Sequence, residues 1–371
     1  MVAFLRRLAL AESPSTVPAS QAAVQAILTE ALEALGFAVN HLAGSDSGGH
    51  LYARAAAGAG SGRQQLLLGH SDTVWPLGTV EEMPVEVRGR KVVGPGVYDM
   101  KAGLTQMIFA LRALHELHLE MPVAPAVFVN SDEEIGSPEA TSYLQRLAPQ
   151  MARVFVVEPS LGPRGRLKTA RKGVGRFHVV AHGRAAHAGL DPEKGRSAIL
   201  ELSHVIRKLF ALNDVATGVT VNVGVVQGGV RSNVIAPKAE AEIDVRVPTQ
   251  EDAQRVEAAI HRVEPEVPGV TLQITGQISR PPLLPTPRNR ALWQLALRSA
   301  QALGLTLEEG TAGGGSDGNT TSQFTATLDG LGAVGDGAHA RDEFVYIDKM
   351  AERAALLALL LLAPPLPDPD G

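Results

Sequence analysis

At 371 residues the chain exceeds the roughly 250–300 residues at which a single hydrophobic core stops growing, so two domains are expected. Its 45% hydrophobic and 20% charged residues are those of a globular chain, and a net charge of -5 excludes the basic field with which nucleic-acid binders neutralise phosphates. The absence of cysteine removes disulfides, thiolate nucleophiles and Cys-ligated zinc, leaving His, Asp and Glu as the strong metal ligands.

In chain order, the apolar positions of Met1 to Leu10 are interrupted by Arg6 and Arg7, and no secretory leader with a small-residue cleavage site is evident. The longest apolar run, Ala354 to Pro364, is shorter than the roughly 20 residues of a membrane span, so a cytoplasmic protein with no membrane partner is expected. Val24, Ile27, Leu28, Leu32 and Leu35 recur at helical spacing and stop at Gly36, which predicts a helix over 21–35. Three short apolar runs, Leu66 to Leu68, Ala126 to Val129 and Val154 to Val157, alternate with helical stretches at Gly103 to Leu117 and Glu139 to Leu147. That alternation predicts an α/β domain with a mainly parallel central sheet flanked by helices. Each run leads straight into polar residues: Gly69-His70-Ser71-Asp72, Asn130-Ser131-Asp132-Glu133-Glu134 and Glu158-Pro159. Ligands of such sheets bind beyond the carboxyl ends of the strands, so these loops are expected to converge.

Between Gly173 and Arg280 the pattern becomes strand (176–182), helix (197–212), two strands (219–227, 239–247), helix (250–264) and strand (270–276). This βαββαβ order is ferredoxin-like and reads as an insertion. The expected division is 1–172 with 281–371 for the first domain and 173–280 for the second. Pro281-Pro282 and Pro285-Thr286-Pro287 punctuate the return, and helices are predicted near 291–303 and 347–362. The glycine-rich stretches at 58–62 and 313–315 are the low-complexity pieces, and the Pro- and Asp-rich tail from Pro364 is expected to fray.

Singly, the polar residues have bland alternatives. His70 and Asp72, two apart at a strand end, suit a ligand and the carboxylate that orients it, and equally a satisfied structural pair. The turn Gly94-Pro95-Gly96-Val97-Tyr98-Asp99 presents Asp99 before a helix, as an ordinary N-cap also would. Adjacent Glu133 and Glu134 after an apolar strand are costly unless exposed, paired or bound to a cation. Glu158 repeats that arrangement, and His339 sits in a turn, Gly335-Asp336-Gly337-Ala338-His339, able to aim an imidazole.

Taken in order, these pieces carry a resemblance. G-H-S-D-T-V at Gly69, G-P-G-V-Y-D-M-K-A-G at Gly94, S-D-E-E-I-G-S at Ser131, V-E-P-S at Val157, G-R-A-A-H-A-G at Gly183, S-N-V-I at Ser232 and G-A-H-A at Gly337 span nearly the whole chain. They closely resemble the zinc-dependent exopeptidase and deacylase family of glutamate carboxypeptidase, acetylornithine deacetylase and succinyl-diaminopimelate desuccinylase, nearest the first branch. The resemblance implies a zinc-exopeptidase fold in which Asp99 bridges two Zn(II), with Co(II) or Mn(II) as substitutes. It gives one ion His70 and Glu158 and the other Glu134 and His339, with Glu133 as general base and Asp72 orienting His70. It implies a homodimer through the inserted domain, with His187 reaching substrate from the partner subunit, Asn233 also touching substrate, and Arg246 and Arg280 holding a substrate carboxylate. Asp99, Glu134 and Glu158 oppose the four positive charges of two Zn(II), and a bridging hydroxide closes the balance.

Amide hydrolysis next to a free carboxylate, in a peptide or an N-acyl amino acid, is therefore the expected reaction: a glutamate-type carboxypeptidase, with an N-acyl-amino-acid deacylase as the alternative. Arg280 matches a carboxylate in bidentate geometry, and Arg171-Lys172 at the other domain crossing can contribute likewise or be a solvated hinge. Gly313 to Asn319 lacks the Lys of a phosphate loop and comes after no clear strand, so it is read as a tight turn lining the substrate site.

Overall fold

The computed structural model describes residues 1–55 and 62–366. The glycine-rich stretch at 58–61 and the tail at 367–371 lie outside the described residues. The chain divides into two compact units: Met1–Ala170 with Leu283–Ala312 and Ser316–Gly371, and Arg171–Pro282 with Gly313–Gly315.

The first unit is built on a six-stranded sheet in the order Phe37–Leu42, His50–Ala55, Pro125–Asn130, Gln64–His70, Met151–Val156, Thr327–Leu328. The last four strands run parallel and the first two join antiparallel. The three central strands are buried on both faces, which is why they read as continuous apolar runs. Leu67, Val127, Val129 and Phe155 turn to one face, where helices Gln21–Glu33, Ala102–Glu116, Pro287–Ala302 and Ile347–Leu362 pack. Leu66, Leu68, Phe128, Val154 and Val156 turn to the other, against Ala140 and Leu144 of helix Ala140–Leu147. Period-two alternation thus serves two cores with one sheet.

The interrupted N-terminal pattern is in fact a helix, Val2–Leu10, which buries Leu5, Leu8 and Ala9 while Arg6 and Arg7 stay exposed. Beside it, strands Glu86–Arg88, Lys91–Val93, Phe344–Tyr346 and Gly335–Asp336 form a small antiparallel sheet around Val92, Val97 and Val345.

The second unit is an antiparallel sheet ordered Thr220–Gly228, Lys238–Val247, Gly173–His182, Thr271–Arg280, with helices Ala198–Phe210 and Gln250–His261. Ser197 and Thr249 cap those helices by accepting the N–H of Leu200 and Asp252. Phe177, Val179, Ala181, Ile243 and Val245 share a core with Leu202, Val205, Val256 and Ile260.

One expectation is corrected. The glycine-rich turn at 313–319 does come after a strand, Glu309–Ala312, which pairs with Leu167–Arg171. That strand reads Glu-Gly-Thr-Ala and offers no apolar run by which to see it. Ser316 then opens a short helix, Asp317–Thr321, with a reciprocal capping box through Asn319. Among the described residues no helix is long and apolar enough to cross a membrane.

Candidate metal centre

The carboxyl ends of the three central strands carry His70, Glu133, Glu134 and Glu158 to one end of the sheet, where the loops of Asp99 and His339 meet them. His70 closes its strand with its side chain 1% exposed, and the neighbouring Gly69 leaves no room for a Cβ, which would lie 2.9 Å from a Leu104 methyl. Asp72 turns back so that its Oδ1 lies 3.3 Å from His70 Nδ1. The same carboxylate accepts the backbone N–H of Glu133 at 3.2 Å, the N–H of Glu134 at 3.1 Å and the Ser15 hydroxyl at 2.6 Å. Asp72 therefore orients the imidazole and also anchors the one-turn helix Glu133–Ile135 that carries both glutamates.

Glu158 lies just past the third strand, where two glycines press on the backbone. A Cβ on Gly103 would sit 1.9 Å from the Val157 carbonyl oxygen, and one on Gly332 would sit 2.2 Å from it. Asp99 lies in a loop opened by Gly94 and Gly96, both with positive φ, and its peptide bond to Met100 is cis. His339 adopts φ 62°, in the left-handed region.

Asp99 directs Oδ1 at His70 Nε2 (3.2 Å) and Oδ2 at His339 Nε2 (3.6 Å). Each imidazole reaches a second carboxylate: His70 Nε2 lies 3.5 Å from Glu158 Oε1, and His339 Nε2 lies 3.1 Å from Glu134 Oε2. Donors placed tetrahedrally at roughly 2.0–2.2 Å from one zinc ion lie about 3.3–3.6 Å from each other. Two of the four spacings, 3.5 and 3.6 Å, fall in that range, while 3.2 and 3.1 Å lie just below it and are also hydrogen-bond distances. His70, Asp99 and Glu134 form one group able to hold a metal, and His70, Glu133 and Glu158 form another. Glu133, 8% exposed, stands close enough to count geometrically as a ligand as well as a base.

The electrostatics have the same cause. Burial lowers the His70 pKa, yet hydrogen bonds to Asp72, Asp99 and Glu158 together hold it well above its ordinary value. The Asp99 and Glu134 carboxylates raise His339 to about 10 against burial. Burial pushes Glu134 up to about 7, despite the pull of His339, and the Asp99 charge adds to the rise. Asp99 is partly buried, and desolvation raises its pKa, but His339 and His70 hold it far below the carboxylate range. Buried carboxylates in excess over cations are stable only with compensating positive charge. Glu134 Oε1 is moreover buried with no hydrogen-bond partner. A donor set of imidazole and carboxylate with an orphaned oxygen fits divalent cations such as zinc.

The second unit holds the remaining predicted residues. His187 is exposed, and its Nδ1 accepts the N–H of Gly189 and of Leu190, each at 3.2 Å. The 187 and 233 segments lie side by side, with Ala188 donating to the Asn233 carbonyl at 3.0 Å. Arg246 spends its guanidinium fork on Asp244, through Nε and Nη2 at 2.8 Å each. Arg280 ends its strand at 7% exposure, and Arg171 donates to the carbonyls of Gly314 and Gly315 at 3.1 Å.

Sequence reasoning missed three participants. Glu343, fully buried, accepts hydrogen bonds from the Trp75 indole and from the backbone of Gly96, Tyr98 and Asp99. Ser15 steadies Asp72, and Lys168 brings Nζ to 4.0 Å from Glu158 Oε2. None carries a local signal: Glu343 reads as one more acid in Arg-Asp-Glu, and its role exists only through contacts some 250 positions away.

Known proteins supply an independent line of support. Residues 169–266 match the family model of the M20 peptidase dimerisation domain. The chain is 28% identical to carboxypeptidase G2 of Pseudomonas sp. (strain RS-16) over 309 residues, covering 81% of this chain and 74% of that one. It is 24% identical to succinyl-diaminopimelate desuccinylase of Thioalkalivibrio sulfidiphilus over 352 residues, covering 90% and 92%. The fold is shared with aminopeptidase PepT from Bacillus cereus, with a TM-score of 0.76 at 20% identity over 97% of this chain and 96% of the other. Residues 169–266 thus carry an M20 peptidase dimerisation domain, the rest of the chain is similar to carboxypeptidase and desuccinylase relatives, and the protein is a hydrolytic enzyme.

Proposed function

We propose that the protein is a two-metal hydrolase that cleaves an amide bond next to a free carboxylate, as a glutamate-type carboxypeptidase. The observation that carries the reading is Asp99, whose two oxygens face two different imidazoles, each beside a further carboxylate. In this reading His70 and Glu158 would hold one zinc ion, Glu134 and His339 would hold the other, and Asp99 would serve both. Bound metals of this kind polarise a carbonyl and lower the pKa of water toward about 7.

The side chains do the rest. Glu133 takes the proton of the attacking water and delivers it to the leaving nitrogen, which its place beside His70 and Glu158 supports. Asp72 keeps the His70 ring and the Glu133 backbone in register, so that base and ligand move as one piece. For the second unit the proposed roles are those the family resemblance implies: Asn233 contacts substrate, Arg246 and Arg280 receive its carboxylate, and His187 serves the site of the partner subunit in a homodimer. The match to a dimerisation domain supports the last role.

The second reading, an N-acyl-amino-acid deacylase, draws on the desuccinylase among the relatives. Purified zinc-loaded protein assayed on N-acyl-glutamates, dipeptides ending in glutamate, N-acetylornithine and N-succinyl-diaminopimelate separates the two. Turnover confined to the last two substrates would overturn the carboxypeptidase reading.

A further inference from the structure

Glu343 sits where three ligand-bearing segments meet. Its Oε2 accepts the Trp75 indole N–H and the Gly96 N–H, both at 2.9 Å. Its Oε1 accepts the N–H of Tyr98 at 2.8 Å and of Asp99 at 3.0 Å. Trp75 continues the loop that begins at His70, Gly96 to Asp99 is the loop that presents Asp99, and Glu343 itself lies four residues after His339. A fully buried carboxyl group that accepts four N–H donors in good geometry clamps the segments that carry them, and no other side chain type offers the same acceptors in that place.

We propose that Glu343 is the positioning residue of the metal centre: it holds Asp99 at the midpoint between His70 and His339 before any ion arrives, so that both ions load onto a preformed bridge. It touches neither substrate nor the metal ligand atoms described above and acts through the Asp99 main chain. Without it, the N–H groups of Gly96, Tyr98 and Asp99 lose their acceptor, and the loop must turn to find others. Pre-organised support of this kind is what outer-shell groups give a metal ligand, and its removal typically costs about 10–100-fold in metal affinity. An amide in place of the carboxylate is informative because it keeps the shape but puts an NH2 group against N–H donors. This inference rests on the two-metal reading above.

The test is titration of metal-free protein with Co(II), tracking stoichiometry, affinity and the visible absorption of the bound ions, with the thermal midpoint of the metal-free protein measured alongside. The wild-type protein is expected to take up two equivalents. Glu343→Gln is expected to bind at least one of them tenfold or more weakly and to show an altered Co(II) spectrum, since the geometry of Asp99 changes at both ions. Trp75→Phe removes one of the four donors and leaves the carboxylate. It is expected to weaken Co(II) binding by a smaller factor in the same direction, and it serves if Glu343→Gln does not fold. A folded Glu343→Gln protein with the wild-type isotherm and spectrum would overturn the proposal, as would an unchanged Trp75→Phe isotherm if only that variant folds. Failure of the wild-type protein to bind two equivalents would instead sink the two-metal reading.

Discussion

Replacing Glu133 by Gln separates a base from a ligand, the two duties its position allows. The substitution is isosteric and leaves the backbone N–H of residue 133 on Asp72 Oδ1, so the one-turn helix and the neighbouring Glu134 keep their places. A general base contributes roughly a hundredfold to ten-thousandfold, which at about 1.4 kcal/mol per decade is about 3–5.5 kcal/mol of transition-state stabilisation. The upper part of that range is expected, because the side chain is 8% exposed and bulk water has poor access to replace it. The assay is kcat and KM on the best substrate of the panel, together with metal content. The expected result is a kcat lower by about three to four decades, a KM changed little, and two metal equivalents retained. A kcat within tenfold of wild type would refute the role of base, and loss of one metal equivalent would make Glu133 a ligand.

Four further outcomes are expected. His339→Ala removes an imidazole and should leave one metal equivalent after dialysis, and two full equivalents by elemental analysis would contradict its role. Gly103→Ala would ordinarily favour the helix by up to about 1 kcal/mol, but its Cβ would meet the Val157 carbonyl oxygen, so a net loss of about 1–3 kcal/mol in chemical denaturation is expected. Mixing His187→Ala with Glu133→Gln subunits should restore part of the activity lost by each, and no recovery after proven subunit exchange would argue against a shared site. Glu139 keeps its carboxyl below the usual pKa because the Ser47 hydroxyl and the backbone of Asp46 and Ser45, acting together, outweigh burial. Its contribution to stability is present above the unfolded carboxylate pKa and fades as the pH falls through the lowered folded value. Glu139→Gln should therefore weaken the protein at pH 7 and narrow the difference from wild type in acid, as read from thermal midpoints across pH.

Much of the arrangement was legible in the chain because the physics there is local. Buried parallel strands leave continuous apolar runs, and the residues directly after each run must lie at one end of the sheet, so the pattern could place His70, Glu133, Glu134 and Glu158 together there, while their expected roles came from the family resemblance. The βαββαβ order was readable for the same reason: strand and helix periods alternate within a hundred residues and need no distant partner. The helix Val2–Leu10 escaped because its buried stripe is narrow and two arginines share its turn, so only packing against the first unit makes it visible.

The sequence by itself determined the residue types of the site, their order and the strand ends that carry them, since those come from patterning and from the resemblance it supports. Only the tertiary structure decided which oxygen of Asp99 faces which imidazole, that Asp72 holds the glutamate loop as well as His70, and that Glu343 gathers three loops. Those are contacts between segments tens to hundreds of residues apart. A hydrogen bond leaves no mark on the spacing of either partner, so nothing short of the folded chain discloses it.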